Sequence, residues 1–359
     1  MAHTAESRED GTSVQALDVS VVIPSFNRPD LLVEAVDSVL AQTRPPREIV
    51  VVDNGTAVET HETLARYGAR VRYVKMEPAG VQAARNVGMQ AATSRWVATL
   101  DDDDLYRPTF FERAAPALLD GRPNLVFGDH RKFIRGAGLV SEKTNAERAP
   151  ESYWNGLAGP ASGVDWTYVG SFPVERLLLY NVFYPSTMIL QRELFEQAGG
   201  FDPAVRGIKT EDMEFMTRVL PIARLAFAWA AQVDYRMHES NNGGDLLAQY
   251  IGRWRIFEYV RQKDQHGSAA LAAALEADLP RRRRAIVRTA FRNGQFDVLP
   301  EVEARLRPED QTLMTRALLA ASRLPRPVAE QLVRASNTLL RRPAQDRALL
   351  PQWVAGSPG

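Results

Sequence analysis

Four consecutive carboxylates, Asp101-Asp102-Asp103-Asp104, close an apolar run that ends in Val97-Ala98-Thr99-Leu100. Folding four like charges together costs free energy unless positive charge sits among them. A hard divalent cation, Mg²⁺ or Mn²⁺, would supply it, because such ions take carboxylate oxygens and keep positions for water and substrate phosphate. The same residues could instead form a solvated acidic turn capping the next helix, since carboxylates favour helix N-termini. A second acidic group, Glu211-Asp212, follows Thr210, which can cap the helix that begins there. In a first turn the helix dipole favours the ionised carboxylate, which would ready Asp212 as a general base at neutral pH. Farther on, His238-Glu239-Ser240-Asn241-Asn242-Gly243-Gly244 has the polar, glycine-rich composition of a mobile lid.

The elements that must position these groups are legible from periodicity. Val19 to Pro24 reads as a buried strand, Leu31 to Gln42 as an amphipathic helix, and Glu48 to Asp53 as a second strand ending in an Asp-Asn-Gly turn. Val71 to Lys75 predicts a third strand, Val81 to Ala92 an alanine-rich helix, and Trp96 to Leu100 a fourth strand that delivers the tetrad. Further on, Pro108 to Leu119 predicts a helix, Phe183 to Gln191 a strand and Ala226 to Met237 another. Continuous apolar strands alternating with amphipathic helices point to an α/β fold with a mainly parallel sheet covered on both faces. In such sheets ligands bind outside the carboxyl ends of the strands, where Pro24 to Asn27, Asp53 and Asp101 to Asp104 all fall. Tyr153, Trp154, Trp166 and Tyr168, in an irregular stretch, could shape an acceptor pocket or simply hold down a long loop.

Lys plus Arg and Asp plus Glu both total 44, so the charge balance makes no case for nucleic-acid binding. The chain has no cysteine, which excludes disulfides, thiolate metal sites and cysteine nucleophiles. Neither a signal peptide nor a spanning apolar run is apparent, and a soluble, cytoplasmic protein is expected. Residues 1–16 read as a disordered leader, 17–244 as the α/β domain and 245–359 as an α-helical C-terminal region. Residues 281 to 359 hold 15 Arg and no Lys against 7 acidic residues. Their densest cluster, Arg281 to Arg284, could meet an anionic membrane surface at the inner face, a phosphorylated acceptor or an acidic neighbour; otherwise it is one solvated helix face.

The sequence resembles the family 2 glycosyltransferases, with their GT-A fold. The resemblance is carried by Val-Val-Ile-Pro-Ser-Phe-Asn-Arg (21–28), Val-Val-Asp-Asn-Gly (51–55), Ala-Arg-Asn-Val-Gly (84–88), Leu-Asp-Asp-Asp-Asp (100–104), Gly-Gly-Phe-Asp (199–202), Glu-Asp-Met-Glu-Phe (211–215) and Tyr-Arg-Met-His (235–238). These motifs cover about residues 18 to 240, and the C-terminal region falls outside them. The resemblance implies inverting transfer of a sugar from a nucleotide-diphosphate donor to an acceptor hydroxyl, with Mn²⁺ or Mg²⁺ stabilising the departing diphosphate. Asp101 and Asp103 match the Asp-x-Asp metal ligands, and His238 a late histidine that contacts metal or diphosphate. Of Asp102 and Asp104, one would face the ribose and the other cap a helix. Asp53 matches the aspartate that meets uracil, although Asn54 replaces a second aspartate and leaves uracil or thymine open. Pro24, Phe26 and Asn27 would lie near the base, and Arg85 would reach base or phosphate. Asp212 would be the general base, supported by Glu211. The acceptor, whether glycan, lipid-linked, peptide or small molecule, is not specified by these motifs.

Two other classes compete with this assignment. A nucleotidyltransferase that makes nucleotide sugars usually needs a glycine-rich first loop for a triphosphate, and Pro24-Ser25-Phe26-Asn27-Arg28-Pro29 has no glycine. A catalytically silent scaffold would tolerate loss of the base or the metal ligands, and both are present.

Overall fold

The structure is a computed structural model that describes residues 16–140, 143–157, 164–237, 246–263 and 268–339. Strand β1 (Leu17–Ser25) is buried on both faces, so its β-branched residues feed two cores. Val22 joins one core while Val21 and Ile23 join the other, as the two-residue period of a strand requires. In β2 (Pro46–Asp53), Val50 and Val52 join the first core, and Ile49 and Val51 the second.

The chain between and after these strands forms α1 (Pro29–Leu40), α2 (Glu59–Leu64), β3 (Val71–Lys75), α3 (Val81–Ala91), β4 (Trp96–Thr99), β5 (Leu105–Tyr106), α4 (Phe110–Asp120), β6 (Leu125–Ile134) and β7 (Gly138–Leu139). It continues through β8 (Trp166–Gly170), β9 (Met188–Gln191), α5 (Arg192–Gln197), α6 (Asp212–Val219) and β10 (Leu225–Arg236). Helices α7 (Leu246–Lys263), α8 (Ala269–Arg292), α9 (Leu299–Glu303), α10 (Leu313–Ser322) and α11 (Arg326–Leu339) complete it. The strands form one sheet in the order β3-β2-β1-β4-β9-β6-β10-β5, with β7 on β6 and β8 on β10. Strands β3, β2, β1 and β4 are mutually parallel, β9 runs against β4 and β6, and β10 lies parallel to β6. This mainly parallel, helix-flanked sheet with helices at its C-terminal end is the GT-A architecture.

Helices α1 and α4 cover one face through Leu32, Val36, Val39, Phe110 and Phe111; α3, α6, α7 and α8 cover the other. Gly88 lets α3 lie hard on β1, since a Cβ there would sit 2.2 Å from Val22 Cγ1. The expected strand from Phe183 is shorter, beginning at Met188 after a 3₁₀ turn at Pro185–Thr187, because Pro185 has no N–H for the ladder. Tyr153 is fully buried in an aromatic core with Trp154, Phe172 and Tyr180, and Trp166 and Tyr168 lie on β8, so these four do not gather around one pocket.

The arginine-rich run is not a solvated face. Arg282 and Arg283 are buried, and Arg283 donates to Glu258 at 2.7 Å and Asp310 at 2.8 Å, both also buried. Arg282 pairs with Asp278 and donates to the Leu178 carbonyl at 2.6 Å. The acidic neighbours weighed for this cluster are thus in the chain itself, and only Arg281 is exposed. Trp254, Phe257, Leu275 and Ile286 from α7 and α8 share the core that holds Val22. Among the described residues no helix is long and apolar enough to cross a membrane.

Candidate active site

The loop after β1, the turn after β2, the tetrad after β4 and the start of α6 converge at one end of the sheet. Asn27 joins the first two: its side-chain oxygen accepts from the amides of Thr56 at 2.7 Å and Ala57 at 2.9 Å. Asn27 adopts φ 55°, a left-handed conformation that asparagine tolerates better than most residues. Gly55 leaves room for this contact, since a Cβ there would approach Asn27 Oδ1 to 2.4 Å. Pro24 is buried in β1, and Phe26 stands 51% exposed at the loop tip.

The tetrad is bound by the chain's own cations and hydroxyls. Asp102 accepts from Ser25 Oγ at 2.8 Å, the Phe26 amide at 3.2 Å and Arg28 at 3.3 Å. Arg28 also donates to Asp103 at 2.7 Å. Asp104 accepts from Ser186 Oγ at 2.6 Å and the Arg236 amide at 3.0 Å, while α4 starts only at Phe110; Asp104 is therefore not a helix cap. Asp102 and Asp104 are buried, whereas the Asp101 and Asp103 side chains keep 30% and 15% of their surface exposed. Burial, then the neighbouring Asp103 charge, pushes the Asp102 carboxyl up to about 7 against the opposing pull of Arg28. Burial and the charges of Asp103 and Asp101 raise Asp104 well above the usual carboxylate range.

Arg85 bridges the tetrad and the second acidic group. Its guanidinium donates to Asp101 at 2.7 Å and to Glu211 at 3.3 Å and lies 5.4 Å from the Phe201 ring centroid. Burial works against its charge, but Asp101 and Glu211 outweigh it and raise its pKa. This inward pairing leaves Arg85 neither an exposed helix charge nor aimed at a base.

Asp212 opens α6, but not as the sequence implies. Thr210 has φ 64° and its hydroxyl donates to the Lys209 carbonyl at 2.6 Å, so it caps nothing; Glu211 takes the cap position. The dipole does not dominate the carboxyl either. Burial, then the Glu211 charge, raises Asp212 to about 7, with Arg85 and Asn181 acting in the opposite sense. Asn181 Nδ2 donates to Asp212 at 3.4 Å.

Asp53 is buried with both oxygens engaged: Oδ1 accepts from the Gly55 amide at 2.9 Å, and Oδ2 from Tyr73 at 2.7 Å and Lys75 at 3.0 Å. Asn54 accepts from the Ala79 amide at 2.7 Å, fixing the approach to α3. His238 lies outside the described residues. Among the described residues no three His, Asp or Glu side chains form a group that could hold a metal ion. Of the four tetrad carboxylates, those of Asp101 and Asp103 are the more exposed, and each is already paired with a guanidinium, Arg85 and Arg28 respectively.

Sequence reasoning missed Arg28, Ser186, Asn181 and Arg236. Arg28 and Arg236 stood inside quoted motifs, and four adjacent carboxylates called for positive charge; Ser186 and Asn181 sit in an irregular segment that gave no signal.

The Glycosyl transferase family 2 model matches residues 20–186. A Bacillus subtilis glycosyltransferase, YwdF, is 27% identical over 276 residues, covering 75% of this chain and 93% of the relative. A Rickettsia felis glycosyltransferase is 27% identical over 244 residues, covering 65% of this chain but 36% of the relative, so the chain spans about a third of that protein. Among solved structures, S. aureus TarS 1–349 superposes with TM-score 0.57 at 17% identity, covering 89% of this chain and 92% of that one. The same protein in complex with UDP-GlcNAc gives TM-score 0.52 at 16% identity, over 89% and 92% of the two chains. Over residues 20–186 the chain is similar to the family 2 glycosyltransferases, the relatives it matches are glycosyltransferases, and it has the GT-A fold.

Proposed function

We propose that the chain transfers a sugar from a UDP-sugar to an acceptor hydroxyl with inversion at the anomeric carbon, Asp212 acting as the general base. The carrying observation is Arg85, which pairs Asp101 of the tetrad with Glu211 beside the base and so joins the donor and acceptor ends of one site. Asp212 takes the proton of the attacking hydroxyl as its oxygen bonds to the anomeric carbon; the bond from that carbon to the diphosphate oxygen breaks, and UDP leaves with the electron pair. A carboxyl near 7 suits this role, because a base is most effective when it titrates near the working pH.

Asp101 and Asp103 would hold Mg²⁺ or Mn²⁺, which when bound offsets the charge developing on the diphosphate. Arg28 and Arg85 keep those two carboxylates oriented. Exposed Phe26 offers a face for the base, and Asp53 holds the turn beneath it through Gly55, Tyr73 and Lys75. Asp102 acts from within, locking the first loop to the tetrad. Uridine is favoured as the nucleoside by TarS, a protein of the same fold whose complex contains UDP-GlcNAc.

A thermal-shift panel of UDP, dTDP and GDP, each with and without Mn²⁺, tests this function. UDP with Mn²⁺ should stabilise the protein most, by about 2.7 kcal/mol at a hundred times its Kd. A larger shift with GDP would overturn the uridine assignment, an equal shift without Mn²⁺ the metal role, and no shift with any nucleotide the donor class.

A further inference from the structure

On the opposite side of β4 from Asp53, β6 and β10 carry a group of cations and aromatics that the proposed chemistry does not use. His130 is 2% exposed, and neither ring nitrogen has a hydrogen-bond partner among the described residues. Its ring lies 4.4 Å from that of Tyr184 and 5.6 Å from that of Tyr235, while Tyr184 and Tyr235 are 5.7 Å apart. Lys132 pairs with Tyr235 in the β6/β10 register, and its ammonium stands 5.9 Å from that ring centroid. Arg148, on the short 3₁₀ turn Ala146–Arg148, acts electrostatically on His130, Lys132 and Tyr184. Neither Lys132 nor Arg148 has an ion pair or side-chain hydrogen bond among the described residues. Two described acidic groups close to them in sequence are bonded to backbone amides: Asp129 accepts from the His130 and Ala146 amides, and Glu147 from the Thr144 amide.

This group adjoins the reacting end of the site. Arg236, next to Tyr235, bonds Asp104 through its amide at 3.0 Å and the Asp103 carbonyl through its side chain at 2.8 Å. On the other side the His130 carbonyl accepts from the Asn145 amide at 3.1 Å, Asn145 Nδ2 donates to the Asn181 carbonyl at 3.2 Å, and Asn181 reaches Asp212. A hydrogen-bonded path thus runs from His130 to Asp212, while Pro24, Asn27 and Asp53 occupy the β1–β2 half of the sheet. Two half-buried cations with no counter-ion among the described residues, beside a buried imidazole whose two nitrogens have no partner there, favour an anion with several acceptor oxygens.

We propose that His130, Lys132, Arg148, Tyr184 and Tyr235 form the acceptor subsite and that it takes a phosphate-bearing acceptor, whose phosphate meets Lys132 and Arg148 while a neighbouring hydroxyl reaches Asp212. This rests on the glycosyltransferase function proposed above. A phosphate is favoured because it presents three oxygens and nearly two charges to two cations at once. Its other source, the diphosphate of the donor, is separated by the test.

Calorimetric titrations on the full chain decide it, with sn-glycerol 3-phosphate as probe and glycerol as the neutral control, each added to protein saturated with UDP and Mn²⁺. The wild type should bind glycerol 3-phosphate and not glycerol. Lys132→Gln/Arg148→Gln should weaken glycerol 3-phosphate at least about tenfold and leave UDP affinity within about twofold, while Lys132→Arg/Arg148→Lys, which keeps both charges, should retain binding. Absence of glycerol 3-phosphate binding to the wild type, or equal binding by the neutralised variant, would overturn the subsite. A fall in UDP affinity instead would assign the cations to the donor. If UDP does not bind the wild type, the donor assignment fails on its own, and the same glycerol 3-phosphate titrations without nucleotide still judge the cationic subsite.

Discussion

Glutamine at position 211 would keep the shape of the side chain beside Asp212 and remove its charge. Burial is the largest influence on the Asp212 carboxyl and the Glu211 charge the second; together they bring it up to about 7. Glu211 is 19% exposed, so its charge is only partly screened. With a separation of ~7 Å and an effective dielectric of ~20–40, the repulsion is roughly 1–2 kcal/mol, near one pH unit. Removing an anion lets Asp212 ionise at lower pH, and Arg85, left with Asp101 as its only carboxylate partner, acts in the same direction. The assay is kcat/KM against pH, which reports the essential groups of the free enzyme. With a pKa of about 7, Asp212 is about one-tenth ionised at pH 6 and about nine-tenths at pH 8, so wild-type kcat/KM should climb about tenfold over that interval. In Glu211→Gln the rising limb should move down by about one unit with its plateau little changed. The Asp102 carboxyl is also pushed up to about 7, but by burial and the Asp103 charge, with Glu211 not among its causes, so a limb belonging to Asp102 would stay in place. Asp212→Asn should lower kcat by roughly 10²–10⁴ at every pH and abolish the limb. An unmoved limb in Glu211→Gln would remove Glu211 from the control of the base, and wild-type turnover in purified Asp212→Asn would refute the base itself.

Asp103→Ala should weaken Mn²⁺-dependent UDP binding and nearly abolish transfer, and EDTA should silence the wild type until Mn²⁺ or Mg²⁺ is returned; full activity in chelator would remove the metal from the reaction. Arg283→Ala should cost about 3–5 kcal/mol of unfolding free energy, because Glu258 and Asp310 would stay buried without their shared cation. Urea denaturation measures it, and a loss below about 1 kcal/mol would show that those carboxylates find other partners.

The sheet was legible because it rests on local pattern. The runs at 19–23 and 48–52, rich in β-branched residues, read as strands buried on two faces, and the carboxyl ends of such strands fix where the acidic residues gather. What decides the site's electrostatics is not local. Arg28 and Asp102 are 74 residues apart and Arg85 and Glu211 are 126 apart, distances at which no periodicity reports a pairing. The tetrad announced a need for positive charge, yet its composition could not distinguish an ion from a guanidinium. The Asp212 carboxyl shows the same gap: its place in a first helical turn was visible, while the burial and the Glu211 charge that outweigh the dipole exist only once α6 is packed. Arg283 resembled part of a solvated face because its partners Glu258 and Asp310 lie 25 and 27 residues away, on α7 and on the 3₁₀ turn Pro308–Asp310, whereas the Asp278 partner of Arg282 stands one turn earlier on α8.

Those buried arginines also explain how the helices beyond the family match bear on the base. Arg253 of α7 donates to the Leu177 carbonyl and Arg282 of α8 to the Leu178 carbonyl, so both grip the 3₁₀ segment Val174–Leu178. Immediately after it, Tyr180 donates to Asn145 at 2.8 Å and Asn181 donates to Asp212 at 3.4 Å. A buried guanidinium is expensive to leave unsatisfied, so each carbonyl it holds is held with more specificity than an apolar contact provides. Asp212 itself lies outside residues 20–186, and the segment that orients it is pinned from α7 and α8. The setting of Asp212, the base proposed above, depends in this way on the arginine-rich helices, although none of their side chains is placed in the reaction.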